Sequence, residues 1–222
     1  MKRIKLHDRA LPSYTFAEEA FHAASHLLGA VGGIAALIIC LKRSTDLWEV
    51  TGSAIYGSAL ILLYAMSGIY HGLPQGTAKK VLQVLDHCTI YLLIAGTYTP
   101  ILFCAIRPVS AVCAWVLFAL VWGCAAVGAV FTAIDLERYD RLSMICYIAM
   151  GWCIILAAKP AIDVLSREGL ILLLSGGIAY TLGAGLYAIG KKYRYMHGVF
   201  HLFVLLGSVL QFAAIYLDCI LR

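Results

Sequence analysis

Histidine and serine side chains recur near the ends of hydrophobic segments of this sequence, at a spacing that suits a metal ion. His197 and His201 are four residues apart, and so are Ser67 and His71. On a helix, such pairs share one face with their Cβ atoms about 5–6 Å apart, so two imidazoles can chelate one ion. With His71 from another helix, three neutral nitrogens would surround Zn²⁺ at about 2.0–2.1 Å and leave a fourth position for water. The pattern therefore predicts a catalytic type of zinc site with His71, His197 and His201 as ligands.

A carboxylate and a hydroxyl accompany these histidines. We expect Asp86 to orient the water and accept its proton, because zinc lowers the pKa of bound water toward ~7. Three partners fit Ser67, which lies one turn from His71: the water, the substrate carbonyl, or Asp86. An alternative is an iron site of two histidines and one carboxylate, in which Asp86 binds the metal directly. His87 follows Asp86 by one residue, is rotated by about 100°, and is interpreted as structural.

The first hydrophobic segment carries its own polar stripe. Glu19 lies three residues before His22, and His22 lies four residues before His26, with Glu18 beside them. One interpretation makes Glu19, His22 and His26 outer partners that fix the tautomers of the ligand histidines. The other makes them a polar seam that is satisfied within a helix bundle. The spacing fits these two interpretations equally.

The composition indicates an all-α integral membrane protein. Hydrophobic residues make up 62% and charged residues 13% of the 222 residues, against about 45–50% and about 25% in soluble domains. One membrane-spanning helix takes about 20 apolar residues, so seven helices nearly use up the chain. The predicted spans are 18–41, 50–71, 82–105, 110–132, 142–158, 170–190 and 197–219. We expect residues 1–17 to form a cytoplasmic tail and residues 18–222 to form a single seven-helix membrane domain.

Charge predicts the orientation and excludes one class of partner. Counting Lys and Arg on alternate connections places 11 on the side of the N-terminus and 6 on the other side. The positive-inside rule therefore favours a cytoplasmic N-terminus and an external C-terminus, with the histidines at the cytoplasmic end. No basic stripe interleaved with aromatic residues suggests nucleic-acid binding. The eight cysteines are scattered through apolar segments and are interpreted as packing residues.

The segments that carry these groups resemble the bacterial hemolysin III branch of the progestin and adipoQ receptor family. The similar segments are EE at 18–19, SHLLG at 25–29, MSGIYH at 66–71, LDHCTIYLLIAGTYTP at 85–100 and HGVFHLFV at 197–204. The resemblance extends over nearly the whole chain. Three positions depart from it: His22 stands where bacterial members usually have Asn, Ser25 where Thr is usual, and Gln211 where a His often occurs.

The resemblance implies a seven-helix fold with an inward N-terminus and a zinc site near the cytoplasmic face of the bacterial inner membrane. It implies His71, His197 and His201 as ligands, with Asp86 and Ser67 directed at water or substrate. The family's relation to alkaline ceramidases implies hydrolysis of a lipid amide, so a membrane lipid is the expected substrate or ligand. The hemolysin name implies membrane lysis, and the eukaryotic relatives imply signalling.

Three functions therefore stand as hypotheses. The first is a membrane-embedded zinc hydrolase that acts on a lipid amide or similar acyl bond, with Asp86 as base. The second is a receptor-like regulator in which a structural zinc holds helices together. The third, membrane lysis through a pore, is ranked last because the chain has no long amphipathic segment beside its hydrophobic spans.

Overall fold

Seven helices, each long and apolar enough to cross a membrane, make up nearly all of the chain. The structure is a computed structural model that describes residues 6, 8–190 and 193–221. The helices, α1 to α7 in chain order, are Phe16–Arg43, Leu47–Gly72, Thr77–Ile106, Ala111–Ile134, Leu136–Val164, Arg167–Gly190 and Met196–Ile220. The prediction of an all-helical protein with seven spans is confirmed. Residues 1–5 and 7 of the predicted tail lie outside the described residues.

The observed helices are longer than the predicted spans, and α5 differs most. It begins at Leu136, six residues before the predicted start, because Asp135 caps it by accepting a hydrogen bond from Arg138 N at 3.1 Å. The segment LERYDR was expected to be a polar connection. Charged residues suit the first turns of a helix that project beyond the apolar layer, so hydropathy alone places the helix start too late.

The helices form a closed bundle in which α3 is the most buried. Sequence neighbours α1 and α2, α2 and α3, and α6 and α7 pack closely, and contacts between α7 and α1 close the ring. Few contacts join α5 to α6. Large apolar side chains face outward along the helices, among them Leu28, Val31, Val112, Val116 and Ile178. The chain is a multi-pass membrane protein with an apolar outer surface.

Glycines let α1 and α2 approach closely near the middle of the bundle. A Cβ atom placed on Gly29 would lie 2.7 Å from Tyr64 Cδ1, and one on Gly33 would lie 3.2 Å from Ile61 N. Small residues at such contacts allow two membrane helices to pack backbone against backbone. This contact fixes the position of α1 along the bundle axis, and with it the positions of the histidines that α1 carries.

Three of the described helices change their winding: α3, α5, and α7, whose last residues Tyr216–Ile220 form a π-helix. In α3, Pro100 ends the α-helical part, and the residues Ile101–Ile106 form a π-helix, since a proline nitrogen cannot donate to the helix. In α5, a short 3₁₀ segment covers Cys153–Ala157. There the Tyr98 hydroxyl donates to Gly151 O at 2.9 Å and accepts from Ile154 N at 2.8 Å. Tyr98 thus satisfies the backbone where α5 is interrupted.

Candidate metal centre

Five histidines from three helices meet at one end of the bundle, which we call the histidine end. Here α1, α3, α5 and α7 begin and α2, α4 and α6 finish. The histidines are His22 and His26 on α1, His71 on α2, and His197 and His201 on α7. His197 Nε2 lies 3.4 Å from His71 Nε2 and 3.2 Å from His201 Nε2. The three histidines predicted as metal ligands are therefore adjacent in space.

A buried ion pair fixes the tautomer of His71. The His71 Nδ1–H donates to Glu19 Oε2 at 2.7 Å, which leaves Nε2 with its lone pair toward the cluster. Lys79 Nζ donates to Glu19 Oε1 at 2.7 Å and to the carbonyl oxygens of Leu73 and His71 at 2.8 and 3.3 Å. Carboxylates that hold a histidine in this way recur around bound metals, because they orient the ring and raise its basicity.

Ser25 fixes the tautomer of His201 in a similar way. Its hydroxyl donates to His22 O at 3.0 Å, so toward His201 Nδ1, 3.4 Å away, it acts as the acceptor. The His201 Nδ1–H then points at Ser25, and the Nε2 lone pair points at His197. Lone pairs this close repel one another unless a cation or a proton lies between them. The cluster thus fits a bound cation.

The separations also fit a tetrahedral ion. With Zn–N distances of about 2.0–2.1 Å, two ligand nitrogens of a tetrahedral site lie about 3.3–3.4 Å apart. The two Nε2 separations at His197 are 3.4 and 3.2 Å. The group of three whose ligand atoms all lie within 4.8 Å of one another consists of His22, His71 and His197. The structure thus brings His22 into the cluster itself.

His26 lies one turn deeper and packs against a ligand candidate. Its ring stacks on His201 with centroids 3.6 Å apart and planes at 14°, and Tyr64 contacts it edge-on at 5.0 Å. Of the predicted outer residues, Glu19 therefore contacts His71 directly, and His26 supports the His201 ring by stacking.

Asp86 and Ser67 line a cavity that begins beside His197 and His201. Ser67 is buried and lines this cavity together with Asp86. His87, interpreted as structural, hydrogen-bonds through Nδ1 to Gln83 O at 2.8 Å, and its ring also lines the cavity, with Nδ1 3.8 Å from Asp86 Oδ2. Asp86 and His87 are neighbours on α3 and point about 100° apart around the helix, yet both line this cavity.

The cavity, of about 170 Å³, extends from the histidine end toward the middle of the bundle. Its walls come mainly from α3, α5, α6 and α7, where α5 and α6 make few contacts. Apolar and aromatic side chains dominate the walls, and Gln211 lies along them three turns from the histidines. The site therefore joins a polar, metal-competent end to an apolar chamber.

Tyr14 covers the histidines from outside the bundle, which the sequence analysis missed. Its ring stacks on His197 with centroids 5.2 Å apart and planes at 23°, and contacts His22 and His71 at 5.0 and 5.9 Å. Burial, and then the Glu19 carboxylate, raise the pKa of the Tyr14 hydroxyl, so it stays protonated. Nothing in its spacing marked this tyrosine, because it precedes the first helix.

Glu18 has a structural task that its sequence context could have revealed. Thr15 and Glu18 form a capping box at the start of α1, for which T-x-x-E is the sequence signature. Glu18 Oε1 also accepts from Tyr195 N at 3.0 Å, where the backbone is left-handed just before α7. The carboxylate thereby ties the start of α1 to the start of α7, which carries His197 and His201.

Fold and site together define a class: multi-pass helical membrane proteins with a histidine cluster at one end of a seven-helix bundle. Comparison with known proteins gives the family. The protein-family model described as "Haemolysin-III related" matches residues 14–212, and the chain belongs to that family. All the histidines of the cluster lie within the matched residues.

Similar proteins come from bacteria and mammals. Hemolysin-3 of Bacillus cereus is 39% identical over 88% of this chain and 89% of its own length. The Hemolysin-3 homolog of Bacillus subtilis (strain 168) is 35% identical over 93% of this chain and 97% of its own length. The human monocyte to macrophage differentiation factor is 27% identical over 90% of this chain and 83% of its own length. The similarity thus spans the whole bundle, as the resemblance predicts.

Proposed function

We propose that this protein is a zinc-dependent hydrolase of the membrane that cleaves a lipid amide or a similar acyl bond. The observation that carries the proposal is the juxtaposition of three imidazole Nε2 atoms with Asp86 and Ser67 at the mouth of an apolar cavity. Metal ligands, a base and a chamber for an acyl chain are the parts that such a reaction requires.

His71, His197 and His201 are the proposed ligands. Zinc suits them because borderline-soft Zn²⁺ prefers imidazole nitrogen and tetrahedral geometry, and the Nε2 separations of 3.2 and 3.4 Å suit that geometry. When bound, zinc supplies Lewis-acid activation and lowers the pKa of a water molecule toward about 7. Direct binding by Asp86, as in an iron site, has less support, because the group of candidate ligands that lie close together consists of histidines.

The protein's own groups then position the reactants. Asp86 accepts the proton of the attacking water and returns it to the leaving amine, as a general base and then a general acid. Ser67 lines the same cavity as Asp86, and we expect its hydroxyl to hold the Asp86 carboxylate or the substrate carbonyl. Glu19 keeps the His71 Nε2 lone pair directed at the cluster. Tyr14 covers the centre and limits the access of bulk water.

The apolar cavity favours a lipid as the substrate. Its walls hold an acyl chain, and the bond to be cleaved would lie where the apolar walls give way to Asp86 and the histidines. Entry from the bilayer is favoured between α5 and α6, which have few mutual contacts. With the positive-inside orientation, the chemistry takes place at the cytoplasmic side of a bacterial inner membrane.

Asp86→Asn tests the reaction. We expect purified, zinc-loaded protein in detergent to hydrolyse a ceramide-like amide and Asp86→Asn to lose about 10²–10⁴-fold in turnover, which is the usual contribution of a general base. The metal content and melting temperature of the variant should stay close to those of the original protein. Asp163→Asn, which changes an exposed carboxylate near the end of α5 that is remote from the histidines, is the matched control.

A structural zinc in a receptor-like regulator is the second candidate. The observation that favours it is that the histidines tie α1, α2 and α7 together at one point, so a metal there adds folding energy. If acyl-amide substrates of several chain lengths are not hydrolysed by zinc-loaded protein, the hydrolase is contradicted. A large loss of thermal stability on chelation would then support the structural role.

A further inference from the structure

His22 has no assigned partner although it lies at the centre of the cluster. Its ring centroid is 4.7 Å from that of His71, 4.8 Å from that of His197 and 4.9 Å from that of His201. A ring at nearly equal distances from three others is packed against all of them. His22 is therefore placed as a member of the same group, rather than as a support behind one ligand.

The ring nitrogens of His22 need a partner that the protein does not supply. The side chain is 1% exposed, and neither Nδ1 nor Nε2 has a hydrogen-bond partner among the described residues. A buried polar atom without a partner is costly, and such atoms in a native protein call for a ligand, an ion or a water molecule. The nitrogens of His71 and His201 that point away from the cluster are occupied by Glu19 and Ser25.

The fold makes room for the ring at this position. A Cβ atom on Gly198 would lie 3.4 Å from His22 Nε2, so the glycine between the two α7 histidines lets the imidazole approach the α7 backbone. Tyr14 and Phe21 contact its ring edge-on at 5.0 and 6.4 Å. These contacts hold His22 against the cluster from the side of α1.

We propose that His22 is a fourth ligand of the same metal ion, so that the resting centre is closed by four imidazoles. The inference rests on the proposed zinc centre and deepens it, because His22 would occupy the position that water needs for hydrolysis. Four nitrogens complete a tetrahedral zinc site. Hydrolysis then requires either that His22 withdraws from the metal or that the coordination expands to five. In the first case α1, which carries His22, is the element that opens the centre.

X-ray absorption of the zinc-loaded protein tests this assignment, because outer-shell scattering from imidazole rings counts the histidine ligands. We expect four imidazoles in the original protein and three in His22→Asn. Loss of an outer partner costs about 10–100-fold in metal affinity, so loss of a direct ligand should weaken zinc binding at least about tenfold. His87→Asn, which changes a histidine of α3 outside the cluster, should keep four imidazoles and is the matched control.

The outcomes separate this inference from the zinc centre itself. Three imidazoles and an oxygen in the original protein would overturn the role of His22 and leave the zinc hydrolase standing. A protein that binds no zinc would overturn the proposed function as a whole. If His22→Asn cannot be purified, the imidazole count of the original protein alone decides.

Discussion

At the scale of residues, the directions of the His71 and His201 imidazoles are set by partners outside the cluster. Glu19 takes the Nδ1 proton of His71, and Lys79 neutralises Glu19 and ties it to the end of α2. A buried carboxylate needs such a cation, and a buried lysine needs the carboxylate. The metal-competent geometry of His71 therefore depends on two residues that would not touch the ion.

Glu19→Gln is expected to weaken metal binding without removing a ligand. The amide cannot act as a charged acceptor for His71 Nδ1–H, and Lys79 loses its counter-ion, so zinc affinity should fall about 10–100-fold. A competition titration with a zinc chelator in detergent measures the change. Glu168→Gln, an exposed carboxylate at the start of α6, should leave the affinity unchanged. Equal affinities for Glu19→Gln and the control would contradict this role.

The sequence predicted part of this residue-scale picture. The i,i+4 spacing identified His197 and His201 as candidate ligands. The position of His71 at the end of a span predicted that it lies at the same depth in the membrane. Lys79 and Tyr14 were missed, because each acquires its role only from helix packing or from a chain segment that folds back over the cluster. The periodicity of α1 likewise did not predict that His22 joins the cluster. Periodicity indicates the helix face on which a residue lies, but not its distance from other helices.

At the scale of elements, α1 controls the centre because it carries two histidines and Glu19. Its position depends on the close contact of Gly29 with α2 and α7, and on the Glu18 link to the start of α7. The sequence predicted the helix and its polar stripe, and the T-x-x-E cap was available in it. The packing distance between α1 and α2 could not be predicted from the sequence, because a glycine indicates a close approach only once its neighbour is known.

Gly29→Ala tests the dependence of the centre on this packing. A Cβ atom there would lie 2.7 Å from Tyr64 Cδ1 and 2.8 Å from Leu205 Cδ2, so we expect overpacking to cost about 1–3 kcal/mol of unfolding free energy. Gly32→Ala, with nothing within 4 Å of the added atom, should stay within about 0.5 kcal/mol. Unfolding in mixed detergent and SDS micelles measures the two variants, and equal stabilities would argue against tight α1–α2 packing.

At the scale of the whole molecule, the odd number of spans predicts that the two termini lie on opposite sides of the membrane. The number of spans followed from hydropathy, whereas the extra turns of α5 and the cavity between α3, α5, α6 and α7 did not. A cavity depends on which helices fail to pack, and the apolar pattern of each helix contains no such information. The long apolar faces of α5 and α6 look alike in sequence whether they meet each other or a substrate.

Reporter fusions test the orientation that the charge distribution predicts. Alkaline phosphatase joined after residue 222 should be active, because the C-terminus is expected outside the cytoplasm, and green fluorescent protein at the same place should be dark. The opposite pattern would place the histidine end at the outer face. The proposed zinc centre would survive that result, but its assignment to the cytoplasmic side would not.

Metal content tests the central claim most directly. Purified protein, loaded with zinc and freed of excess, should hold a single zinc ion per chain by mass spectrometry, and His197→Ala should lose most of it. His87→Ala changes a histidine that lines the cavity but lies outside the cluster, and it should keep the ion. A protein that holds no metal, or a His197→Ala variant that holds as much as the original, would contradict the existence of this metal centre.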